Sequence, residues 1–144
     1  FYDSTPVPWA AGSGFSSFRG WIFDKVGYFD EELGIGKRSS GEDPDMYYRL
    51  LKADYKIVYD PASIIYHDHL PTLEAISKLA YQYGTNKLVF YKKYRRDAYM
   101  LVCLLGSLSI TFFSFLKTLL TGNRKLRRII QSEIKGILTF RPRE

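Results

Sequence analysis

Two neighbouring carboxylates, Glu42 and Asp43, open an acidic cluster that ends with Asp45. A carboxylate within reach of a hydroxyl proton can act as a general base. The same residue types also suit the first turn of a helix, where acidic side chains accept backbone N–H groups and interact favourably with the helix dipole. The spacing alone therefore leaves two interpretations open, chemistry and helix capping.

A second candidate is the pair of histidines at His67 and His69. Side chains two residues apart lie on the same side of an extended chain, so their imidazoles can share a metal ion. The sequence offers no further cluster of His or Cys, and a complete zinc site made from these residues is not expected. Surface or hydrogen-bonded histidines are the alternative.

Small and basic residues supply further binding candidates. Gly12 and Ser13 lie in a glycine-rich stretch whose backbone can approach a ligand closely, although the pattern is a poor phosphate-loop signal and favours an ordinary tight turn. Residues 34–41 include three glycines and predict a surface loop. The loop carries Lys37 and Arg38, which either contact a phosphate or remain solvated.

The acidic cluster is positioned by a predicted helix. Pro44 suits a first helical turn, which predicts a helix over residues 44–52 with Asp43 as its N-cap. Its apolar side chains recur at helical spacing and form one face, namely Met46, Tyr47, Leu50 and Leu51. This face fixes the helix against a core and gives the carboxylates a definite direction.

The flanking segments predict both helix and strand. Residues 21–26 are expected to form a short helix that ends at Gly27 as a left-handed cap. The apolar runs at 56–59 and 63–66 predict two strands, the second of which leads into His67.

Charge divides the chain into two parts. Residues 1–70 carry 7 Lys and Arg against 11 Asp and Glu, whereas residues 71–144 carry 14 against 4. The basic part suits an anionic membrane surface or nucleic acid, but it contains no nucleic-acid recognition motif, so no nucleic-acid partner is expected. The single cysteine, Cys103, excludes an intramolecular disulfide. Since the sequence opens on Phe1 without a signal peptide pattern, we expect a fragment of a longer protein.

The basic part predicts three helical segments. The first runs from an N-cap at Thr72 to about Tyr94, and Lys87 interrupts its apolar face. Residues 98–116 carry no charge, and their length approaches the roughly 30 Å of a bilayer core. Basic residues flank this run on both sides, which favours an interfacial or re-entrant segment and leaves a true span as the alternative. The last segment is basic and amphipathic, and suits a lipid interface or a partner subunit.

The order of these motifs resembles the inverting GT-A glycosyltransferases of family 2. The resemblance covers residues 7 to about 96. It rests on four pieces, which are the segment from Gly12 to Arg19, then Val26-Gly27-Tyr28-Phe29-Asp30-Glu31, then Gly41-Glu42-Asp43-Pro44-Asp45, and finally Tyr59-Asp60-Pro61 followed by Tyr66-His67. It implies an α/β fold in which residues 1–96 form the C-terminal, acceptor-side half of a GT-A domain. Residues 97–144 follow as a helical, membrane-associating tail.

The resemblance also implies a reaction and its site. A sugar is transferred from a nucleotide-activated donor to a hydroxyl of a glycan or lipid-linked acceptor, with inversion. Asp43 is implied as general base and Glu42 as the residue that orients it or the acceptor, while His67 lies near the metal and the diphosphate. The residues implied to bind substrate are Gly12, Ser13, Arg19, Lys37 and Arg38.

A divalent metal, Mn²⁺ or Mg²⁺, is implied as the cofactor, bound mainly by an N-terminal half that this sequence does not contain. Asp43-Pro44-Asp45 has the spelling of the family's metal motif, but it opens a helix late in the domain, which does not suit that motif. The fragment alone is therefore expected to be inactive. The expected location is the cytoplasmic face of the plasma (inner) membrane, in polysaccharide or glycolipid synthesis. The alternative is a non-catalytic membrane-binding or scaffold domain in which Glu42 and Asp43 only cap a helix.

Overall fold

The chain folds as two compact units, Phe1–Asp68 and His69–Glu144. The computed structural model describes residues 15–34, 41–66, 68 and 72–140. In the first unit a 3-10 turn, Gly20–Ile22, leads into helix α1 (Phe23–Val26), and helix α2 (Glu42–Lys52) follows. The second unit contains α3 (Leu73–Lys93), α4 (Ala98–Thr121) and α5 (Arg124–Leu138). The domain boundary predicted at residues 96 and 97 falls between α3 and α4, and remains a prediction.

The described residues form helices but no β-sheet. The predicted α/β fold is wrong for this part of the chain, and so are the strands at 56–59 and 63–66, where only Ile57 occupies an isolated bridge position. These segments have the composition of strands, but a strand is stable only when neighbours pair with its backbone and cover its apolar side. Instead, Val58 is 61% exposed and Ile64 is 74% exposed.

The core of the first unit forms between α2 and the segment around α1. Ile22, Met46, Tyr47 and Leu50 are buried together. Partly buried apolar side chains surround them, namely Phe18, Phe23, Val26, Tyr55 and Ile57. The predicted short helix at 21–26 is confirmed, since the 3-10 turn and α1 cover those residues, and Gly27 follows with a φ of 78°.

Both ends of α2 differ in detail from the sequence prediction. The N-cap is Gly41 rather than Asp43, which is the second helical residue. At the other end, Tyr55 N donates to Leu50 O over 3.0 Å and Asp54 has a φ of 61°. These are features of a Schellman cap, in which glycine usually occupies the left-handed position. Asp54 takes that role here.

Glycines allow α3 and α5 to cross with their backbones in contact. A Cβ atom on Gly84 would lie 2.0 Å from the carbonyl oxygen of Glu133, and one on Gly136 would lie 2.1 Å from that of Tyr81. Only residues without a side chain permit this approach. Ile130, on the apolar side of α5, is buried in the same unit.

The exposed face of helix α4 is apolar, whereas its buried face includes polar residues. Its buried residues are Met100, Cys103, Thr111 and Thr118. Its apolar side chains are exposed, with Ile110 at 69%, Phe113 at 66% and Leu120 at 90%. By length and composition α4 is able to cross a membrane, and 17% of its most apolar stretch is buried. The helix is unbroken from Ala98 to Thr121.

Lys87 has polar partners on both neighbouring helices. Its Nζ donates to Thr111 Oγ1 of α4 over 2.9 Å and to Glu133 Oε1 of α5. Thr111 Oγ1 also donates to Glu133 Oε1 over 3.1 Å. A charge on an otherwise apolar helix face is therefore paired and hydrogen-bonded, as a partly buried ion requires.

We expect Gly84→Ala and Gly136→Ala to destabilise the second unit by about 1–3 kcal/mol, because the new methyl group meets a backbone carbonyl that cannot rotate away. Thermal unfolding of the purified protein, followed by circular dichroism, measures the effect. Gly106→Ala is the control, since nothing lies within 4 Å of its Cβ position. It should be neutral or stabilising by up to about 1 kcal/mol. Equal melting temperatures for all three variants would contradict the close crossing.

Candidate active site

The carboxylates of Glu42 and Asp43 stand in the first turn of α2. The remainder of the helix is anchored by buried Met46 and Leu50, so its N-terminal turn is rigidly placed. The N-cap, Gly41, has no side chain and makes no capping bond. Glu42 and Asp43 are both half-buried. They are therefore not N-caps in the geometric sense, although their charges still suit the helix dipole.

The pKa of Asp43 is raised above its ordinary value. Burial of the carboxyl is the main cause, because it disfavours the charged form, and the adjacent charge of Glu42 raises the pKa further. A carboxylate with a raised pKa holds a proton more strongly once it has accepted one. This is the property required of a general base that works near neutral pH.

Glu42 Oε2 is buried and has no hydrogen-bond partner among the described residues. A buried carboxylate oxygen left in this state is costly, since it loses contact with water and gains no donor in return. A hydroxyl from a bound ligand would satisfy it. The two carboxylates thus offer different functions, with Asp43 able to accept a proton and Glu42 able to accept a hydrogen bond.

Asp45 and Arg49 hold this turn in place. Asp45 is fully buried, and its Oδ2 accepts a hydrogen bond from Arg49 Nε over 2.9 Å. The guanidinium of Arg49 also donates to the carbonyl oxygens of Val26, Gly27 and Tyr28, the last two over 3.0 and 2.8 Å. These carbonyls lie at the end of α1, where no further helical turn can satisfy them. The Arg49 side chain therefore connects α2 to the segment at the end of α1.

Tyr47 links the acidic turn to a groove on the same unit. Its hydroxyl shares a hydrogen bond with Ser16 Oγ. Burial raises the pKa of Tyr47, the hydrogen bond with Ser16 acts in the opposite direction, and the charge of Asp43 raises it again. Asp43 thus lies close enough, one helical turn away, to act electrostatically on a side chain that lines the groove. Arg19, predicted to bind substrate, lines the same groove and is exposed.

The other predicted site residues lie outside the described residues. These are Gly12, Ser13, Lys37, Arg38, His67 and His69. The residues that the structure does describe contain no group of three or more His, Cys, Asp and Glu side chains suited to a metal ion. Asp45 in particular is committed to Arg49, so Asp43-Pro44-Asp45 does not have the free carboxylates of a metal motif. A divalent ion does not fit the described part of the site.

Arg49 is not among the site residues predicted from the sequence. The ion pair could have been predicted, because an acidic residue four positions before a basic one on a helix lies next to it. The carbonyl acceptors on residues 26–28 carry no such signal, since they depend on how α1 meets α2.

A model of the family described as "Glycosyl transferase family group 2" matches residues 2–135 of the chain. The match extends through both compact units. No curated protein and no solved structure gives a match.

We expect Arg49→Met to destabilise the first unit by about 3–5 kcal/mol, because it leaves the buried Asp45 carboxylate without its partner. Arg49→Lys should cost less, about 1–3 kcal/mol, since it keeps a charge but lacks the planar fork that reaches several carbonyls. Urea unfolding at pH 7 measures both. Lys25→Met, which removes an exposed cation from α1, is the control and should change little. If Arg49→Met unfolded at the same urea concentration as the wild type, the hydrogen bonds of Arg49 would make no measurable contribution to stability.

Proposed function

We propose that this chain, which belongs to the glycosyl transferase family group 2, carries the general base of a sugar transfer. Membership establishes a glycosyltransferase-type protein. The proposal adds a nucleotide-activated sugar as donor, a hydroxyl of a glycan or lipid-linked molecule as acceptor, and inversion at the anomeric carbon, in polysaccharide or glycolipid synthesis.

Asp43 takes the acceptor proton in this proposal. The acceptor oxygen bonds to the anomeric carbon of the donor as the bond from that carbon to the donor phosphate oxygen breaks. The proton of the attacking hydroxyl passes to the Asp43 carboxylate, and the nucleotide leaves with the electron pair of the broken bond. Glu42 Oε2 accepts a hydrogen bond from the acceptor and orients it. No step in this scheme uses the expected Mn²⁺ or Mg²⁺, because the described residues do not fit a metal.

The observation that carries the proposal is the environment of the two aspartates on α2. Asp45 is neutralised by Arg49, whereas Asp43 has its pKa raised by burial and by Glu42. Perturbed carboxylates of this kind cluster at functional sites. The helix dipole favours acidic side chains in the first turn and would lower the pKa of Asp43, whereas burial and the charge of Glu42 raise it.

Asp43→Asn in the full-length enzyme is expected to lower kcat about 100- to 10,000-fold, because the amide cannot accept the acceptor proton. The KM for the donor should change little. Release of nucleotide from a panel of nucleotide sugars, with membrane extract as the acceptor source, measures the rate. Asp24→Asn is the matched control, since Asp24 also lies in the first turn of a helix and is exposed. Normal turnover by a folded Asp43→Asn variant would exclude Asp43 as the base.

The pH profile provides an independent check. The base must be deprotonated, so kcat should fall as the pH drops through the raised pKa of Asp43. Glu42→Gln removes the neighbouring negative charge, which lowers the pKa of Asp43 and moves the acidic limb of the profile to lower pH. Steady-state rates between pH 4 and pH 8 would show the shift. A limb that moves upward, or one that stays in place, would contradict the assigned interaction.

We propose further that the second unit associates with a membrane through α4. Its exposed apolar side chains are unfavourable in water and suit lipid. Exposed cations flank both ends, with Arg95 and Arg96 before the helix and Arg124 and Lys125 after it. Cations on both flanks are attracted to the anionic cytoplasmic leaflet. We therefore place α4 in the interface, with both ends at the cytoplasmic face and its inner side covered by the other helices of the unit.

Cysteine labelling distinguishes this arrangement from a span. In a background in which Cys103 and every other cysteine of the full-length protein are replaced by Ser, Arg96→Cys and Thr121→Cys introduce one thiol at each end of α4. An impermeant maleimide should label both thiols in inside-out vesicles and neither in sealed cells. Labelling of one thiol from each side would show that α4 spans the bilayer, and release of the protein from vesicles by a salt wash would contradict insertion altogether.

A further inference from the structure

The cations of α5 are placed where they oppose the folding of that helix. Arg124, Lys125 and Arg127 stand in its N-terminal turn, where the helix dipole is already positive and where no acidic residue is present. Arg124 and Arg128 are four residues apart, so their like charges lie next to each other and repel. Helix α2 of the same chain has the favourable distribution, with acids in its first turn and bases in its last. The charge pattern of α5 therefore needs an explanation other than helix stability.

Contacts within the second unit account for one of these cations. Arg127 Nη2 donates to Thr118 O over 3.1 Å and so provides a donor for one of the last carbonyls of α4. Glu133, the single acid of α5, is paired with Lys87 of α3. The other cations of α5 are exposed and have no hydrogen-bond or ion-pair partner among the described residues, namely Arg124, Lys125, Arg128 and Lys135.

Three of the exposed cations form a stripe along one face of α5. Arg124, Arg128 and Lys135 follow each other at spacings of four and seven residues, which correspond to one and two helical turns. Ile130 is buried on the other side of the helix. Exposed cations need no further segment of chain to cover them, because burial of an unpaired charge is costly. This cationic stripe is therefore suited to an anionic partner.

We propose that the cationic stripe binds the phosphates of anionic lipid headgroups, and thereby selects anionic over zwitterionic lipids around the second unit. The inference rests on the proposed membrane association and names the lipid class that takes part in it. Apolar side chains such as those of α4 enter the acyl region of any bilayer and do not distinguish headgroups. Selectivity for the headgroup is assigned to α5.

Exposed leucines beside the stripe favour a lipid over other polyanions. Leu120, near the end of α4, is 90% exposed, and only residues 121–123 separate it from Arg124. Leu138, at the other end of α5, is 78% exposed. A lipid interface accepts both groups, since leucine enters the acyl boundary while the cations meet the headgroups. A nucleic acid or an acidic protein surface would pair the charges and leave the leucines in water.

Energy transfer from α5 to labelled lipids tests this inference. In the full-length protein without other cysteines, Gln131→Cys places a fluorophore on an exposed position between Arg128 and Lys135. The protein is reconstituted into phosphatidylcholine nanodiscs that contain a small fraction of acceptor lipid. The acceptor is carried on an acyl chain of either phosphatidylglycerol or phosphatidylcholine, so that the two acceptor lipids differ only in the headgroup.

We expect phosphatidylglycerol to be enriched next to the label about three- to tenfold over phosphatidylcholine. The enrichment should fall when the salt concentration is raised from about 0.05 to 0.5 M, because salt screens exposed charges. The triple variant Arg124→Gln, Arg128→Gln and Lys135→Gln should reduce the enrichment to about onefold. A matched variant loses three exposed cations that lie outside α5, and should keep the enrichment of the wild type. Its substitutions are Lys25→Gln, Lys56→Gln and Lys78→Gln.

Thermal unfolding separates lipid binding from a structural role of the stripe. The triple α5 variant relieves repulsion between Arg124 and Arg128, so its melting temperature should equal or exceed that of the wild type. Loss of enrichment together with a lower melting temperature would make these cations structural and would overturn the inference.

The lipid selectivity and the membrane association can fail separately. Equal energy transfer to both lipids in the wild type overturns the selectivity and leaves the membrane association intact. Absence of transfer to either lipid means that α5 does not lie at the membrane, and the proposed association is then wrong as well. If inorganic phosphate abolishes the enrichment while chloride at the same ionic strength does not, the stripe binds soluble phosphate, which also overturns the inference.

Discussion

The placement of the acidic turn depends on the guanidinium of Arg49. Four of its N–H groups are used, one by the buried Asp45 carboxylate and three by carbonyl oxygens at the end of α1. These bonds meet two requirements. The fully buried carboxylate gains a counter-charge, and the last carbonyls of α1 gain hydrogen-bond donors. An ammonium could satisfy the first requirement but not the planar geometry of the second. The position of Asp43 follows from that constraint.

Two aspartates on one helical turn have acquired different chemistry from their surroundings. Asp45 faces inward, has a counter-ion and is structural. Asp43, two residues earlier, is only half-buried, has Glu42 as its neighbour and has its pKa raised. The sequence Asp-Pro-Asp presents them as equivalent. The difference arises from tertiary contacts, since Arg49 reaches only one of the two.

Local signals predicted most of the helices. Thr72 is the N-cap of α3, with its Oγ1 accepting from Ala75 N over 3.1 Å, and Gly27 ends α1 with a positive φ. The predicted N-cap of α2, Asp43, is wrong. The N-cap is Gly41, which has no side chain to make a capping hydrogen bond. The strands failed for a different reason: their apolar composition is real, but pairing depends on other segments of chain. Hydrophobic periodicity also does not show which elements pack together. It therefore could not predict the contacts of Arg49 with the carbonyls of α1, or the close crossing of α3 and α5 at Gly84 and Gly136.

The three-helix polar cluster of the second unit also sets an order of events during synthesis. Lys87 precedes its partners Thr111 and Glu133 by 24 and 46 residues. At about 5–20 residues per second, the carboxylate is made roughly 2–9 s after the ammonium. The ion pair between Lys87 and Glu133 therefore cannot form until α5 has been synthesised, so the polar contacts between the three helices are completed last.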